Sequence, residues 1–408
     1  MKKYILVSII LILYSNIQIR GTTEWEDYET SETQEEIEQK LEALINYLQS
    51  KYHAEKLTDQ QQLSIEPATE AEYQNRLKTL PYLVPMDYNH AVANSIGKYI
   101  TRYRKPIEYL LSAAALYFPM IEQRLDKYNL PLELKYLAVV ESALNTTAIS
   151  RAGAAGLWQL MLPTARLYGL EINTLIDERL DAEKATDAAC RLLRDLYKIY
   201  KDWNLTIAAY NCGAGNVNKA IRRSGGNKNF WEINQYLPKE TRAYLPNFIA
   251  TAYIMNYFAS HNIRPVKITA PPQTDTVTVT HRISIDKIAV AIGMQTQEIL
   301  SLNPQYKREI IPGDYKPMPL QLPINKIHAY ITAEQQIISQ NATETAPKGK
   351  SITKTAKITH TVKKGETLAQ ISNYYGVTTA NIRKWNKIER KVRKISAGKK
   401  IILYVTTV

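Results

Sequence analysis

The chain has 408 residues, enough for two or three folding units and too many for one small module. With 45% hydrophobic and 22% charged residues it has the composition of a globular protein, which excludes wholesale disorder and a polytopic membrane protein. Two cysteines exclude a disulfide framework and a four-cysteine zinc or iron–sulfur site. The net charge of +13 is confined to one region: residues 348–408 carry fifteen Lys and Arg against two Glu, whereas residues 1–347 hold 37 basic and 37 acidic side chains. A basic tail suits a polyanion, which is nucleic acid, an anionic membrane surface or an acidic cell-wall polymer according to compartment.

The N-terminus speaks to compartment. Lys2 and Lys3 precede an apolar run from Tyr4 to Tyr14 broken only by Ser8, the pattern of a secretory signal over residues 1–20. Export to the periplasm or cell envelope is expected, and it removes most of the weight from a nucleic-acid reading. An uncleaved signal is the alternative, and would give membrane association. The first cysteine is Cys190, so no lipid-anchoring cysteine follows the signal.

Residues 21–85 are rich in Glu, Gln and Thr and read as an acidic spacer with one amphipathic helix near Ile37, Leu41, Leu44, Ile45 and Leu48. Dense helical periodicity with short Gly and Asn breaks then predicts a compact, mainly helical domain over 86–265. Pro265, Pro271 and Pro272 punctuate its end, and Asp275 to Val279 alternates in strand fashion.

Beyond that boundary the chain repeats itself. Ile288, Gly293, Ile299, Leu302 and Asn303 are matched at a constant offset of 83 by Ile371, Gly376, Ile382, Trp385 and Asn386. The copies occupy 272–325 and 358–406, and the polar residues 326–357 between them read as a flexible linker. In the second copy the pattern predicts strand His360–Val362, helix Glu366–Tyr375, helix Thr379–Asn386 and strand Lys400–Val405. The first copy has Ser284-Ile285-Asp286 where the second has Gly365-Glu366-Thr367-Leu368, and reads as degenerate.

Chemistry is expected at Glu141. Pro131 suits a helix start, and Leu137-Ala-Val-Val-Glu-Ser-Ala-Leu144 is apolar apart from the acid and Ser142. A carboxyl group in apolar surroundings resists ionisation and can serve as a general acid. Three further segments supply a surface suited to sugar rings. They are the glycine-containing loop from Ser150 to Met161, the aromatic and amide of Ala209-Tyr210-Asn211 before Gly213, and Glu240-Thr241-Arg-Ala-Tyr244. Six scattered histidines lack metal-ligand spacing, and no phosphate loop is present, so no cofactor or metal is expected. Cys190 and Cys212 read as structural thiols, with a disulfide between them in an oxidising periplasm the alternative.

Together, Glu141-Ser142, Ser150, Gly153-Ala154-x-Gly156-Leu157-x-Gln159-x-Met161, Ala209-Tyr210-Asn211-x-Gly213 and Glu240-Thr241-x-x-Tyr244 resemble the soluble lytic transglycosylase domain. The second C-terminal copy resembles the LysM domain. The resemblance implies a mainly α, lysozyme-like catalytic domain followed by small α+β LysM modules of strand-helix-helix-strand form. It implies cleavage of the β-1,4 bond between N-acetylmuramic acid and N-acetylglucosamine in peptidoglycan glycan strands, with LysM binding to N-acetylglucosamine-containing glycan. Carried over by residue, Glu141 is the acid/base, and Ser150, Gln159, Met161, Tyr210, Asn211 and Tyr244 line the cleft.

Ordinary glycosidases need two carboxyl groups. The only other acid in the four segments, Glu240, sits beside Thr241 and Arg242 and reads as a structural ion pair. A single acid suffices if the substrate's own O6 attacks and closes a 1,6-anhydro ring. The alternatives are a noncatalytic peptidoglycan-binding protein and a hydrolytic muramidase of the same fold.

Overall fold

The computed structural model describes residues 34–55, 68–269, 272–345, 355–362, 366–368, 371–372, 377–389 and 395–406. The expected export signal, and the Gly365 and Tyr375-Gly376 turns of the second copy, lie outside them. No described helix is long and apolar enough to cross a membrane. The chain divides into two compact units, Met1–Ile338 and Ser339–Val408.

The first unit is built on helices whose apolar stripes converge. Arg104–Lys127 buries Ile107, Leu110, Leu111, Ala114, Ile121 and Leu125, a helical stripe at spacings of three and four. Lys239–Tyr257 carries Leu245, Phe248, Ile249, Ala252 and Tyr253 fully buried, so it runs through the core. It packs against His90–Ile100, Trp203–Cys212 and the short helix Tyr136–Ser142, which carries Glu141 near its end. Asp202 caps Trp203–Cys212 and Asp181 caps Ala182–Tyr200 by accepting backbone N–H bonds, the sequence chemistry that starts helices at those points.

The helix expected in an acidic spacer is part of this core. Gln34–Tyr52 buries Leu41, Leu44 and Leu48 among the helical domain's own side chains. Tyr47 Oη bonds Tyr117 Oη at 2.8 Å, and Gln49 Nε2 donates to Tyr109 Oη at 3.0 Å. Glu70–Thr79 adds a second helix from the same stretch, closed by a Thr69/Glu72 capping box. The acidic composition is the solvent face of two packed helices, and the apolar minority does the docking.

The first C-terminal copy lies in this unit too. Strand β1 (Thr274–Val279) pairs antiparallel with β4 (Met318–Pro323), and β2 (Arg282–Ser284) with β3 (Ile310–Pro312). Helices Ile285–Ile292 and Thr296–Leu302 lie between the strands in sequence. The linker expected from residue 326 starts instead as a helix, Ile324–Thr345, which sinks Tyr330 and Ile337 into this module's core. Its Thr-rich end hid an Ile327, Tyr330, Ile337 stripe at helical spacing.

In the second unit β5 (Thr355–Thr361) pairs antiparallel with β6 (Lys400–Thr406), and helix Thr379–Trp385 packs on β6. One side chain identifies the two copies as the same build. Asn303 Nδ2 donates to Ile299 O and Gln321 O, and its Oδ1 accepts from Gln321 N. Asn386 makes the equivalent bonds to Ile382 O, Ile402 O and Ile402 N. Each asparagine ties its helix to the closing strand.

Leu44 tests the revised boundary. It is 0% exposed, so Leu44→Ala is expected to cost about 3 kcal/mol of stability in denaturant unfolding of the helical domain. A true spacer residue would leave the transition where it was.

Candidate active site

Glu141 sits one residue from the end of its helix, where the backbone changes direction sharply. Ala143 and Leu144 both take left-handed conformations, at φ 50° and 62°. Non-glycine residues there are strained, and Leu144 is held in place by complete burial. The adjacent Ser142 is locked: its hydroxyl donates to Leu157 O at 2.8 Å and Ala138 O at 3.2 Å. That bond ties the acid's helix to the glycine-containing loop.

The loop is a tight double turn. Gly153 and Gly156 both have positive φ, 83° and 80°. Ser150 Oγ accepts from Ala154 N at 3.0 Å, and Gln159 Nε2 donates to Ala148 O at 3.1 Å and Gly156 O at 2.9 Å. Trp158, fully buried, donates Nε1–H to Thr186 Oγ1 at 2.8 Å and so anchors the loop from beneath. Gly156 is required for a second reason: a Cβ there would stand 1.8 Å from Arg179 O.

These segments enclose a cleft of about 500 Å3. Glu141, Ser150, Gln159, Met161, Tyr210 and Asn211 all line it. Tyr244 is buried and meets the site through the acid, donating its hydroxyl to Glu141 Oε1 at 2.5 Å. Tyr210 donates to Trp158 O at 2.7 Å, and Thr241 donates to Asn211 Oδ1 at 2.8 Å. Burial of the hydroxyl, and secondarily the neighbouring Glu141, push the Tyr210 phenol far above its ordinary range, so it stays neutral. Cys190 and Cys212 are separate thiols, raised by burial to about 12 and about 11, and neither is a nucleophile at neutral pH.

Glu240 lines the cleft with Glu141, and the neighbouring Arg242 Nε donates to Leu237 O. Sequence reasoning missed two further contributors. The first is the helix Gln34–Tyr52, which supplies Gln39, Lys40 and Ala43 to the cleft wall. The second is the run Asp177-Glu178-Arg179, whose exposures are only 3%, 4% and 8%. Arg179 Nε and Nη2 fork onto the two Asp177 oxygens at 2.9 and 2.8 Å, and Nη1 donates to Gly153 O at 2.7 Å and Leu160 O at 3.1 Å. Three consecutive charges read as a solvated turn; the flanking Ile176 and Leu180 were the available signal. Among the described residues, no cluster of His, Cys, Asp and Glu could hold a metal ion.

Comparison with known proteins finds matches for three segments of the chain. The family model for the transglycosylase SLT domain matches residues 119–234, a span holding Glu141, the glycine-containing loop and Tyr210. This chain carries a transglycosylase SLT domain. A model described as the lytic transglycosylase MltD LysM-like domain matches residues 273–339, and a LysM domain model matches 360–403. Membrane-bound lytic murein transglycosylase D of Escherichia coli (strain K12) is 31% identical over 276 residues, covering 67% of this chain and 60% of that protein. Membrane-bound lytic murein transglycosylase F of Photobacterium profundum is 30% identical over 135 residues, 29% of this chain and 25% of its own length. The chain therefore spans about 60% of the first of these relatives. Among solved structures, the 70 kDa soluble lytic transglycosylase of Escherichia coli is 26% identical, covering 35% of this chain and 24% of its own, with a TM-score of 0.31.

In the SLT domain, the two loop glycines separate backbone freedom from space. Gly156→Ala meets both the left-handed penalty and the Arg179 carbonyl, and is expected to cost about 3 kcal/mol or more in thermal or denaturant unfolding. Gly153→Ala meets only open space within 4 Å and is expected to cost about 1 kcal/mol. Equal losses would contradict the close approach at residue 156.

Proposed function

We propose that this protein is a peptidoglycan lytic transglycosylase that cleaves the β-1,4 bond between N-acetylmuramic acid and N-acetylglucosamine, with Glu141 acting first as acid and then as base. The observation that carries the reading is the position of Glu141. It ends a buried helix, is oriented by the Tyr244 hydroxyl, and opens onto a cleft that also holds Ser150, Gln159, Met161, Tyr210 and Asn211.

Glu141 protonates the glycosidic oxygen as the bond to the muramic C1 breaks. The positive charge that develops on C1 is stabilised by the substrate's N-acetyl group. The carboxylate left on Glu141 then takes the proton from the muramic O6–H, and O6 bonds to C1 to close the 1,6-anhydro ring. No water is consumed. Holding O6 within reach converts ring closure into a unimolecular step, which is where a shaped cleft contributes most. Tyr244 fixes the carboxyl rotamer through both steps. The internal bonds of Gln159 and Asn211 use Nε2 and Oδ1, which leaves the Gln159 Oε1 acceptor and the Asn211 Nδ2 donor for sugar amide and hydroxyl groups. The Met161 side chain and the Tyr210 ring offer apolar contact to a sugar face.

One observation favours a second reading. Glu240 lines the same cleft, so a second carboxyl group is present to position water, as in a hydrolytic muramidase. The two mechanisms differ by one water in the product. Mass spectrometry of a murein digest is expected to find nonreducing 1,6-anhydromuramyl ends, and predominantly reducing muramic ends would transfer the reading to hydrolysis. Glu141→Gln keeps size and loses the transferable proton, so turnover is expected to fall at least about a hundredfold with folding and glycan binding retained. Substantial residual activity would remove Glu141 from the role, and no cleavage by the wild type would leave a noncatalytic binder.

The second unit fits a targeting role. Its small core is Val362, Leu368, Ile371, Ile382, Ile388, Ile401 and Leu403, with Trp385 half-buried edge-on to Tyr404 at 5.4 Å. Much of the Trp385 surface is thus taken up by packing. Binding of N-acetylglucosamine-containing glycan by this module, and export of the chain to the cell envelope, complete the reading. Deleting residues 346–408 is expected to weaken retention on insoluble murein while sparing cleavage of short soluble glycans, because the module raises local concentration. Pull-down and turnover measured on the same preparation check this, and equal losses on both substrates would count against it.

A further inference from the structure

The module at residues 273–339 meets the SLT domain through main chain as well as side chains. Asn173 Oδ1 accepts from Leu175 N and Ile176 N, both at 2.8 Å, and so shapes a turn that projects from the helical domain. The outer edge of the turn is paired by the module: Lys307 N donates to Leu175 O at 2.7 Å, and Asp177 N donates to Gln305 O at 2.9 Å. Between these bonds Ile176 is fully buried, and it belongs to the module's core together with Tyr306. Lys316 pairs with Glu171 at 2.5 Å beside the same turn.

The next residue is Asp177. Its carboxylate holds the Arg179 fork, and Arg179 holds the carbonyls of Gly153 and Leu160 in the cleft wall. A loop with two glycines at positive φ is costly to order, and beside its own Ser150, Gln159 and Trp158 bonds it takes two further anchors from outside, the Arg179 bonds to the Gly153 and Leu160 carbonyls. A buried guanidinium stays in place only with its charge balanced, so the placement of Asp177 decides that of Arg179. Ile176 and the Gln305–Lys307 backbone in turn decide the placement of Asp177.

We propose that residues 273–339 are a positioning part of the cleft, acting through Ile176, Asp177 and Arg179 on the glycine-containing loop. In this role the degenerate LysM-like copy braces the cleft wall from behind instead of reading glycan. The kinetic consequence rests on the transglycosylase reading; the structural consequence does not.

Hydrogen exchange on the full chain, read by mass spectrometry, tests it with two variants that break the chain of contacts at different links. Ile176→Ala loosens the turn at the module, and Arg179→Lys keeps the charge but loses the fork. Both are expected to speed amide exchange over residues 150–160 while leaving the Tyr136–Ser142 and Trp203–Cys212 helices as protected as in the wild type. Ile176→Val, which keeps most of the buried volume, is expected to retain protection. On murein, kcat is expected to fall about tenfold or more with KM changed less than about twofold, because the wall is misplaced relative to Glu141 rather than removed. Unchanged exchange over 150–160 in either variant, or equal acceleration throughout the helical domain, overturns the proposal. If the wild type does not cleave murein, only the kinetic arm is lost and the exchange result still decides.

Discussion

Burying a guanidinium is costly unless its charge and its donors are all met. In this protein that constraint organises the cleft. Arg179 is 8% exposed and directs its fork to Asp177 and its remaining nitrogen to two loop carbonyls. Charge-assisted donors of this kind are stronger than neutral ones and have fixed directions. They add fixed directions to a glycine-containing segment that Ser150, Gln159 and Trp158 hold as well. The Arg179 backbone closes on the same loop, since its carbonyl lies where a Gly156 Cβ would be.

The acid is held from the opposite wall. Ser142 binds Leu157 O in the loop, and Tyr244, from the central helix, binds the Glu141 carboxyl. Loop, acid helix and central helix are therefore linked by two short bonds made by adjacent residues, 141 and 142. The left-handed pair Ala143 and Leu144 ends the helix at once, so the carboxyl group stands at an edge of the core and reaches the cleft. Strain here is borne by the burial of Leu144 and contributes directly to where the acid points.

Most of the fold was legible because it rests on periodic apolar patterns. The helical domain, the paired helices and closing strand of the first copy and the 83-residue offset all follow from such patterns, and Asn303 and Asn386, matched by spacing alone, make the same bonds. An acid within an apolar run drew attention to Glu141, but a lone buried Glu is as easily structural; the four segments taken together, and the family they resemble, made the site legible. What escaped was polar chemistry turned inward. Asp177-Glu178-Arg179 has the composition of a surface turn, and its burial depends on partners at Gly153, Leu160 and Gln305 that no local pattern reveals. The N-terminal helix was legible as a helix, but its docking was not: its acidic solvent face dominates the composition, while three leucines settle its place in the core. Glu240 was read from its neighbours Thr241 and Arg242, which do not reveal that distant segments bring it to the wall of the same cleft.

Duplication gives the two LysM-type copies one framework and different surroundings. The first copy has surrendered part of its surface: the backbone of residues 305–307 is paired with the 175–177 turn, and a foreign isoleucine completes its core. Those bonds bind it to the helical domain whether or not glycan is present. The second copy has its own small core, and the chain's entire charge excess falls in residues 348–408 around it. A strongly basic module attracts a polyanionic surface over distances set by screening, several ångströms beyond contact. A module with backbone committed to a neighbour has less surface to offer. The copy adjoining the helical domain is thereby suited to holding shape and, on the proposed function, the terminal copy to finding substrate; the loss of the Gly-Glu-Thr-Leu turn from the first copy alone fits that division of labour.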